Sequence, residues 1–420
     1  MNISINKYIL SFKSNIFLQN IALVASGNVI AKLIGIISIP IITRIYSPEE
    51  FGIYAVFTSV IGIIGSFSTL RYHIAIPLAS DEYLSDNLNR LSFIVSLFLG
   101  FITALFILFF GNNLVSTLSI SQIKPYLWLI PLAFIGQGFY QILSNWTIRK
   151  KYYKLITRTK ISQNFSAAGI KIGLGALGLK PIGLLLGIIA LEATGIYSIT
   201  AKLFKEKPDF LRIFSWRKLL DAAVRYKNFP LLQTWSHLLL NLGIQLPVIF
   251  MATIFGSIVA GVFGLAQNII NIPLILLVNS VSEVYYGEIA KYGKSNTLKI
   301  YHLTIRIMKR FATISLIPLF IIIFFGPMLV KFTFGPEWLE AGIFIRYLTI
   351  IIFTQIIASP ITNVFYVLEK QSLDLKFNII RVVFILSVFG LSKFLDITAV
   401  NTILIYSITS VQLIFLTINT

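Results

Sequence analysis

The sequence predicts an all-α integral membrane protein with about twelve transmembrane helices. Fifty-six per cent of the 420 residues are hydrophobic and only 12% are charged, a balance that no water-soluble core of this length accommodates. Apolar stretches of about 20 residues, long enough to cross a bilayer, recur along the whole chain. These stretches are apolar on all sides, whereas the strands of a membrane barrel alternate apolar and polar residues. Helices are therefore expected throughout.

The predicted spans follow one another with only short polar or basic turns between them. They are expected near residues 20–43, 52–77, 88–110, 125–147, 159–179, 181–203, 229–254, 257–282, 308–330, 343–367, 375–394 and 397–418. The first apolar run is too long for the core of a cleaved signal peptide, and no small-residue cleavage site accompanies it. We therefore expect the first span to be retained.

Lysine and arginine predict the orientation, because basic loops remain on the cytoplasmic side. Alternate loops carry most of these residues, among them a cluster at 149–160 and a run at 202–227. The opposite loops carry one basic residue each, so both termini are expected in the cytoplasm. The net charge of +19 then lies beside helix ends and anionic lipid heads, and no nucleic-acid partner is expected.

Two six-span lobes are predicted, at residues 1–203 and 229–420, around a central cavity. The linker at 204–228 carries apolar residues at helical spacing among basic ones, which predicts an amphipathic helix on the membrane surface. Segments 51–63 and 260–272 share an order of glycine, aromatic and small residues. Each segment opens the second span of its half, which we interpret as the trace of an internal repeat.

Catalytic and metal sites are not predicted. The chain has no cysteine, which excludes disulfides, thiol catalysis and thiolate metal ligands. Its histidines, His73, His237 and His302, are far apart in sequence and form no metal-binding motif.

Charged residues within spans are costly, and each is therefore a functional candidate. Lys32 lies near the middle of the first span and Lys171 at similar depth in the fifth. Either lysine could meet an anionic substrate in a wet cavity, or pair with Glu192. Glu192 could also bind the proton or sodium ion that drives transport, although the charge pair is the preferred interpretation.

Two arginines lie at predicted span ends. Arg71 closes the second span on the cytoplasmic side, and Arg346 opens the tenth on the periplasmic side. Each could anchor a helix end or line the cavity, and the sequence leaves both interpretations open.

Two motifs point to a family. The first is RIYSPEEFGIYAVFTSVIGIIGSFSTLRYHIAIPLA at 44–79, in which Ser47 can cap a helix that begins at Pro48. The second is FGPEWLEAGIFIRYL at 334–348. Together they resemble the Wzx-type polysaccharide flippases of the MOP (multidrug, oligosaccharidyl-lipid, polysaccharide) exporter superfamily. The main matching residues are Ser47, Pro48, Phe51, Gly52, Tyr72, Gly335 and Trp338.

The resemblance implies a transporter of the bacterial inner membrane rather than an enzyme. Such a flippase moves undecaprenyl-diphosphate-linked oligosaccharide repeat units to the periplasmic leaflet by alternating access, for the O-antigen of lipopolysaccharide or for a capsule. Membrane lipids and the polymerase and chain-length proteins of the same pathway are the implied partners. No cofactor is implied, and a coupling ion, proton or sodium, stays open. The candidate residues for a cationic cavity are Lys32, Arg71, Lys171 and Arg346.

Two other functions compete with this interpretation. An ion-coupled multidrug or small-molecule antiporter of the same superfamily would need acidic residues in its spans, and only Glu192 is deep in one. A membrane-embedded glycan polymerase would be expected to have a large periplasmic loop, whereas every predicted periplasmic loop is short.

Overall fold

The computed structural model describes residues 16–208, 215–292, 296–367 and 371–419, and this part of the chain is helical without strands. The prediction of an all-α chain is thus confirmed. Six long helices come first: α1 Ile16–Ile45, α2 Pro48–Ile64, α3 Glu82–Thr117, α4 Leu129–Arg149, α5 Tyr153–Ala176 and α6 Ile182–Glu206. A short helix, α7 Trp216–Arg225, follows. Six more long helices complete the order: α8 Thr234–Phe255, α9 Ser257–Tyr292, α10 Thr297–Phe334, α11 Leu339–Val367, α12 Gln371–Phe394 and α13 Ala399–Asn419.

Each long helix overlaps one predicted span. Among the described residues, eight helices are long and apolar enough to cross a membrane, and two shorter apolar helices lie at Ser257–Ile272 and Ala399–Ile414. The chain is therefore a multi-pass membrane protein. The two other long helices, α4 and α5, carry glutamine, asparagine and basic side chains within their apolar stretches. Helices α4 and α5 thus carry polar groups that could contact a ligand.

The second span is shorter than predicted. Helix α2 ends at Ile64 rather than near residue 77, and 3-10 turns follow at Gly65–Phe67 and Tyr72–Leu78. Leu70 and Arg71 have φ angles of 46° and 63°, and this left-handed geometry cannot continue a right-handed helix. The prediction of an unbroken helix to residue 77 was wrong.

An arginine outside this segment holds the broken backbone in place. Arg149 Nη1 donates to the carbonyls of Ile76 and Ala79, at 3.2 and 2.8 Å, and Nη2 donates to Asp81 O at 2.8 Å. Carbonyl groups that a continuous helix would satisfy internally are satisfied by this side chain instead.

Helix α7 lies within the linker predicted as an amphipathic helix, while residues 209–214 lie outside the described residues. Leu219 and Ala222 are buried, and Ala222 belongs to a cluster with Tyr72. Trp216 and Leu220 remain exposed. One face thus packs on protein and another apolar face is exposed, and the location on the membrane surface stays a prediction.

The chain forms two compact units. The first comprises Met1–Ile45, Ile64–Leu114 and Lys124–His237. The second comprises Tyr46–Ile63, Val115–Ile123 and Leu238–Thr420. By its contacts most of α2 belongs to the second unit, and α7 belongs to the first. The lobes predicted at 1–203 and 229–420, as bodies that move during transport, stay a prediction.

Glycines allow close helix packing in the second unit. A Cβ on Gly52 of α2 would lie 1.9 Å from the Ser257 carbonyl oxygen, and a Cβ on Gly261 of α9 would lie 1.9 Å from the Pro48 carbonyl oxygen. Each helix therefore presents a glycine to the other near its own beginning. The two segments interpreted as a repeat, 51–63 and 260–272, begin at this crossing.

Candidate functional site

The motif residues of the second unit have structural roles. Ser47 Oγ accepts a hydrogen bond from the Glu50 amide at 3.3 Å, and Glu50 Oε2 accepts one from the Ser47 amide at 2.8 Å. This reciprocal capping box starts α2 at Pro48, as the sequence predicts. Phe51 packs edge-on against Trp338 with ring centroids 5.2 Å apart. The two family motifs thus contact each other.

The remaining motif residues also support turns. Gly335 has a φ of 113°, which suits glycine because L side chains rarely adopt it. Tyr72 lies in the first unit, where its hydroxyl donates to the Ala223 carbonyl of α7 at 3.4 Å. None of these contacts leaves a polar group directed at a ligand, and the charged residues are therefore the remaining candidates for the site.

Lys32 and Lys160 form the centre of a basic stripe, which we define as Asn28, Lys32, Lys160 and Asn164 on α1 and α5. Lys160 Nζ donates to Asn28 Oδ1 at 2.6 Å, and the charge of Lys32 acts on Lys160. Lys32 is exposed. Among the described residues neither lysine has an ion-pair partner. Two neighbouring ammonium groups therefore lack a counter-charge.

Close packing of α1 on α5 positions the basic stripe. A Cβ on Gly27 would lie 2.3 Å from Thr157 Cγ2, and the Thr157 hydroxyl donates to the Leu23 carbonyl at 3.1 Å. A groove of about 460 Å³ beside this contact is lined by Leu23, Lys154 and Arg158, among others. Positive charge therefore continues along α5 towards its first turn.

Lys171 lies on a different contact of α5. Its aliphatic stem packs against Gly187 of α6, since a Cβ on Gly187 would lie 2.4 Å from Lys171 Cγ. The side chain is half-buried and makes a further interaction of its own. The structure therefore places Lys171 between α5 and α6.

Glu192 is deeply placed between α4 and α6. It lies beside Gly136, and its charge acts on Tyr140. Its Oε2 atom is buried without a hydrogen-bond partner. Among the described residues no ion pair joins Glu192 to Lys32, and Lys171 makes an interaction of its own. The charge pair between Glu192 and a lysine stays a prediction.

Arg71 is the centre of a basic cluster that sequence reasoning missed. The charge of Arg71 acts on both His73 and His237, and His73 is hydrogen-bonded to Thr69 while His237 Nδ1 lies 3.3 Å from Ser66 Oγ. Arg71 Nε is buried without a hydrogen-bond partner. The two histidines are isolated in sequence, so only folding could reveal this cluster.

Arg346 lies in the second unit, near the beginning of α11. Its Nε is buried without a hydrogen-bond partner. Of the four predicted cavity cations, Lys32, Arg71 and Lys171 belong to the first unit and Arg346 belongs to the second.

Sequence reasoning also missed Lys160 and Arg381. Both lay inside predicted spans but were counted with the basic residues that set the orientation. Arg381 lay well inside the span predicted at 375–394, and that depth was the signal that could have identified it, whereas Lys160 lay at the very start of the span predicted at 159–179 and carried no such signal. Arg381 lines a cavity in the second unit.

Other basic residues are ion-paired. Lys207 Nζ lies 2.6 Å from Glu82 Oε1 and 2.6 Å from Asp86 Oδ2, and Lys150 Nζ lies 2.5 Å from Glu82 Oε1. Hydrogen bonds from the Leu84 amide and a neighbouring serine hydroxyl lower the pKa of Asp81 beside this network. These charges join the ends of α3, α4 and α6, and they are satisfied within the protein. Among the described residues no cluster of histidine and carboxylate side chains could hold a metal ion.

Comparisons with known proteins agree with this architecture. The model of a family described as polysaccharide biosynthesis protein matches residues 41–343. No curated protein matches the chain in sequence.

Solved structures match over almost the whole chain. Lipid II flippase MurJ, in an inward closed conformation, has a TM-score of 0.73 at 12% identity, covering 95% of this chain and 88% of MurJ. An inward-facing multidrug resistance MATE family transporter of the MOP superfamily has a TM-score of 0.70 at 16% identity, covering 91% of this chain and 92% of the transporter. A MOP superfamily transporter from Pyrococcus furiosus has a TM-score of 0.56 at 16% identity, covering 95% of this chain and 92% of that transporter. The predicted fold class is confirmed.

Proposed function

We propose, from the premise that this chain belongs to the polysaccharide biosynthesis protein family, that it is a flippase for lipid-linked oligosaccharides. Its substrate would be an undecaprenyl-diphosphate-linked repeat unit, moved from the cytoplasmic to the periplasmic leaflet of a bacterial inner membrane. Both termini would lie in the cytoplasm. The delivered units would be polymerised into O-antigen or capsule by the polymerase and chain-length proteins of that pathway. The observation that carries the proposal is that Lys32 and Lys160 have no ion-pair partner in the part of the chain that the structure describes.

The chemistry of the basic stripe suits a diphosphate. Two ammonium groups without a carboxylate partner favour an anion that lies between them. Asn28 and Asn164 add amide groups that can bind sugar hydroxyls. The substrate would have its charge at the junction of lipid and sugar. The basic stripe also places charge beside apolar surface, because Ile30 and Leu33 on α1 are 47% and 43% exposed.

Transport would proceed by alternation between inward-open and outward-open forms. Arg71, Lys171 and Arg346 are proposed to bind the anionic part of the substrate at other stages of this cycle. Glu192 is proposed to bind the coupling ion, because it is buried and has no ion-pair partner among the described residues. That ion would be a proton or sodium.

The main alternative is export of cationic drugs by the same fold. The basic stripe argues against it, because neighbouring ammonium groups repel a cation. A glycan polymerase is the other alternative, and the first experiment separates it from a flippase.

The experiment is leaflet-resolved detection of lipid-linked repeat units in cells that lack this protein. We expect the units to accumulate on the cytoplasmic leaflet and wild-type protein to clear them. Lys32→Ala and Lys160→Ala should each clear them more slowly, by about tenfold if a charge-assisted contact of 1–2 kcal/mol is lost. Lys205→Ala, at an exposed lysine near the end of α6, is the matched control and should behave as wild type.

Two results would contradict the proposal. Units that reach the periplasmic leaflet without the protein and remain unpolymerised would indicate a polymerase. Full clearance by both stripe variants, at membrane levels equal to wild type, would remove the basic stripe from the substrate pathway.

A further inference from the structure

A polar cavity of about 590 Å³ lies wholly within the second unit. Residues from α8, α9, α11, α12 and α13 line it. Its volume is in the range of about 300–1,000 Å³ that holds small molecules in proteins. Amide and guanidinium groups stand out in its lining: Gln267, Asn271, Gln355, Asn378 and Arg381. Such a lining differs from the apolar core expected between packed membrane helices.

Arg381 lies near the middle of α12 and is half-buried. It follows the first residue of α12, Gln371, by ten positions, which is about 15 Å along the helix axis. A Cβ on Gly243 of α8 would lie 2.9 Å from Arg381 Cδ, so the absence of a side chain at Gly243 leaves room for the arginine. The charge of Arg381 acts on Tyr406 of α13. The guanidinium group therefore lies among three helices rather than at a helix end.

The lining has no described acidic residue to neutralise this arginine. Arg381 also has no ion pair among the described residues. The Arg381 side chain is half-buried, and a charge inside a membrane span without a partner is costly, so an anion in the cavity would offset that cost. The planar guanidinium group binds carboxylate or phosphate through two parallel hydrogen bonds.

The rest of the lining indicates what carries the anion. Gln267, Asn271 and Gln355 offer donors and acceptors that match hydroxyl groups. Phe377 and Tyr406 supply aromatic surface against which a sugar ring can pack. A free inorganic anion has neither the hydroxyl groups that these amides would bind nor a ring that could pack on the aromatic side chains. We propose that the cavity binds an anionic sugar, with its carboxylate or phosphate on Arg381 and its hydroxyls on the amides.

This inference rests on the cavity, and it goes beyond the proposed flippase. Were the chain a flippase, the ligand would be an acidic sugar of the repeat unit. Binding can be measured on the purified protein without any translocation. Failure of the binding experiment would therefore leave the proposed flippase function standing, and failure of the translocation experiment would leave the proposed ligand of the cavity standing.

The experiment is calorimetric titration of the purified full-length protein with sodium glucuronate, glucose 6-phosphate, glucose and inorganic phosphate at constant ionic strength. We expect glucuronate or glucose 6-phosphate to bind about tenfold more tightly than glucose or inorganic phosphate, the equivalent of one charge-assisted contact. The stronger of the two sugar ligands identifies the oxyanion. Arg381→Gln should reduce binding of the anionic sugar to the level of glucose.

Two glycine variants serve as a matched pair. Gly243→Ala keeps every charge but displaces Arg381, so it should weaken binding of the anionic sugar. Gly390→Ala lies on the same helix as Arg381, where a Cβ would meet open space, and it should bind as wild type. Since Gly243→Ala leaves the arginine present, the inference stays testable even where Arg381→Gln fails to fold.

Three outcomes would overturn the inference. Equal binding of glucose and both anionic sugars would remove the role of the charge. Inorganic phosphate that binds as tightly as either anionic sugar would remove the role of the sugar ring. Wild-type binding by both Arg381→Gln and Gly243→Ala would place the ligand elsewhere.

Discussion

The basic stripe of the first unit and the Arg381 cavity of the second unit present positive charge in two different ways. In the stripe, Lys32 is exposed on a helix whose neighbouring residues, Ile30 and Leu33, are also exposed. In the cavity, the Arg381 side chain packs against Gly243 and lies among amide side chains. Flexible point charges beside apolar surface suit a diphosphate joined to a lipid, whereas a planar guanidinium group among amides suits a sugar acid.

The two regions also depend differently on the helix packing around them. Gly27 brings α1 against Thr157 of α5, and this contact sets the spacing of the two helices that carry the stripe. Gly243 instead makes room for the Arg381 side chain. Disturbing the first glycine therefore changes a helix contact, while disturbing the second changes the position of one side chain.

Lys160→Glu should have the largest effect, because it reverses a charge at the centre of the stripe. The new carboxylate would pair with Lys32 and repel the diphosphate. We expect translocation to fall by about a hundredfold, the equivalent of nearly 3 kcal/mol, in the leaflet-resolved measurement. Lys205→Glu makes the same charge change at an exposed site and should retain activity. Near-normal translocation by Lys160→Glu would show that the stripe does not bind the substrate.

Gly27→Ala should have an intermediate effect. A methyl group would lie 2.3 Å from Thr157 Cγ2, and overpacking of this kind typically lowers the free energy of unfolding by about 1–3 kcal/mol. The midpoint of thermal unfolding, measured on the purified protein, should fall. Gly35→Ala is the control on the same helix, because a Cβ there would lie 3.6 Å from Asn164 Oδ1, an ordinary contact. Equal midpoints for the two variants would contradict close packing at Gly27.

Glu192→Gln should change the rate of translocation least when the pH and the sodium concentration are fixed. It tests which of the two units couples transport to an ion. The first unit has a buried carboxylate, Glu192, without an ion pair among the described residues. The described lining of the Arg381 cavity has no carboxylate. Ion coupling is therefore expected in the first unit. Translocation by wild-type protein should respond to an imposed proton or sodium gradient, and Glu192→Gln should not. Glu337→Gln, at an exposed carboxylate, should keep the response, and a full response by Glu192→Gln would exclude Glu192 as the coupling site.

The sequence by itself determined the features that depend on local physics. Hydropathy predicts the long helices, because a span must be apolar over its own length. The motif around Ser47 predicts the start of α2, because its capping groups are three residues apart. Lys32, Lys171 and Glu192 were identified as candidates because a charge within an apolar run is unusual wherever the helix packs.

Only the tertiary structure decided which of these residues meet. It brings Lys32 to Lys160 and Arg71 to His237, and it packs the Arg381 side chain against Gly243. It also ends α2 early, where left-handed residues precede a segment held by Arg149. These outcomes depend on contacts between residues far apart in the chain, and the pattern of residues along one helix does not specify its neighbours.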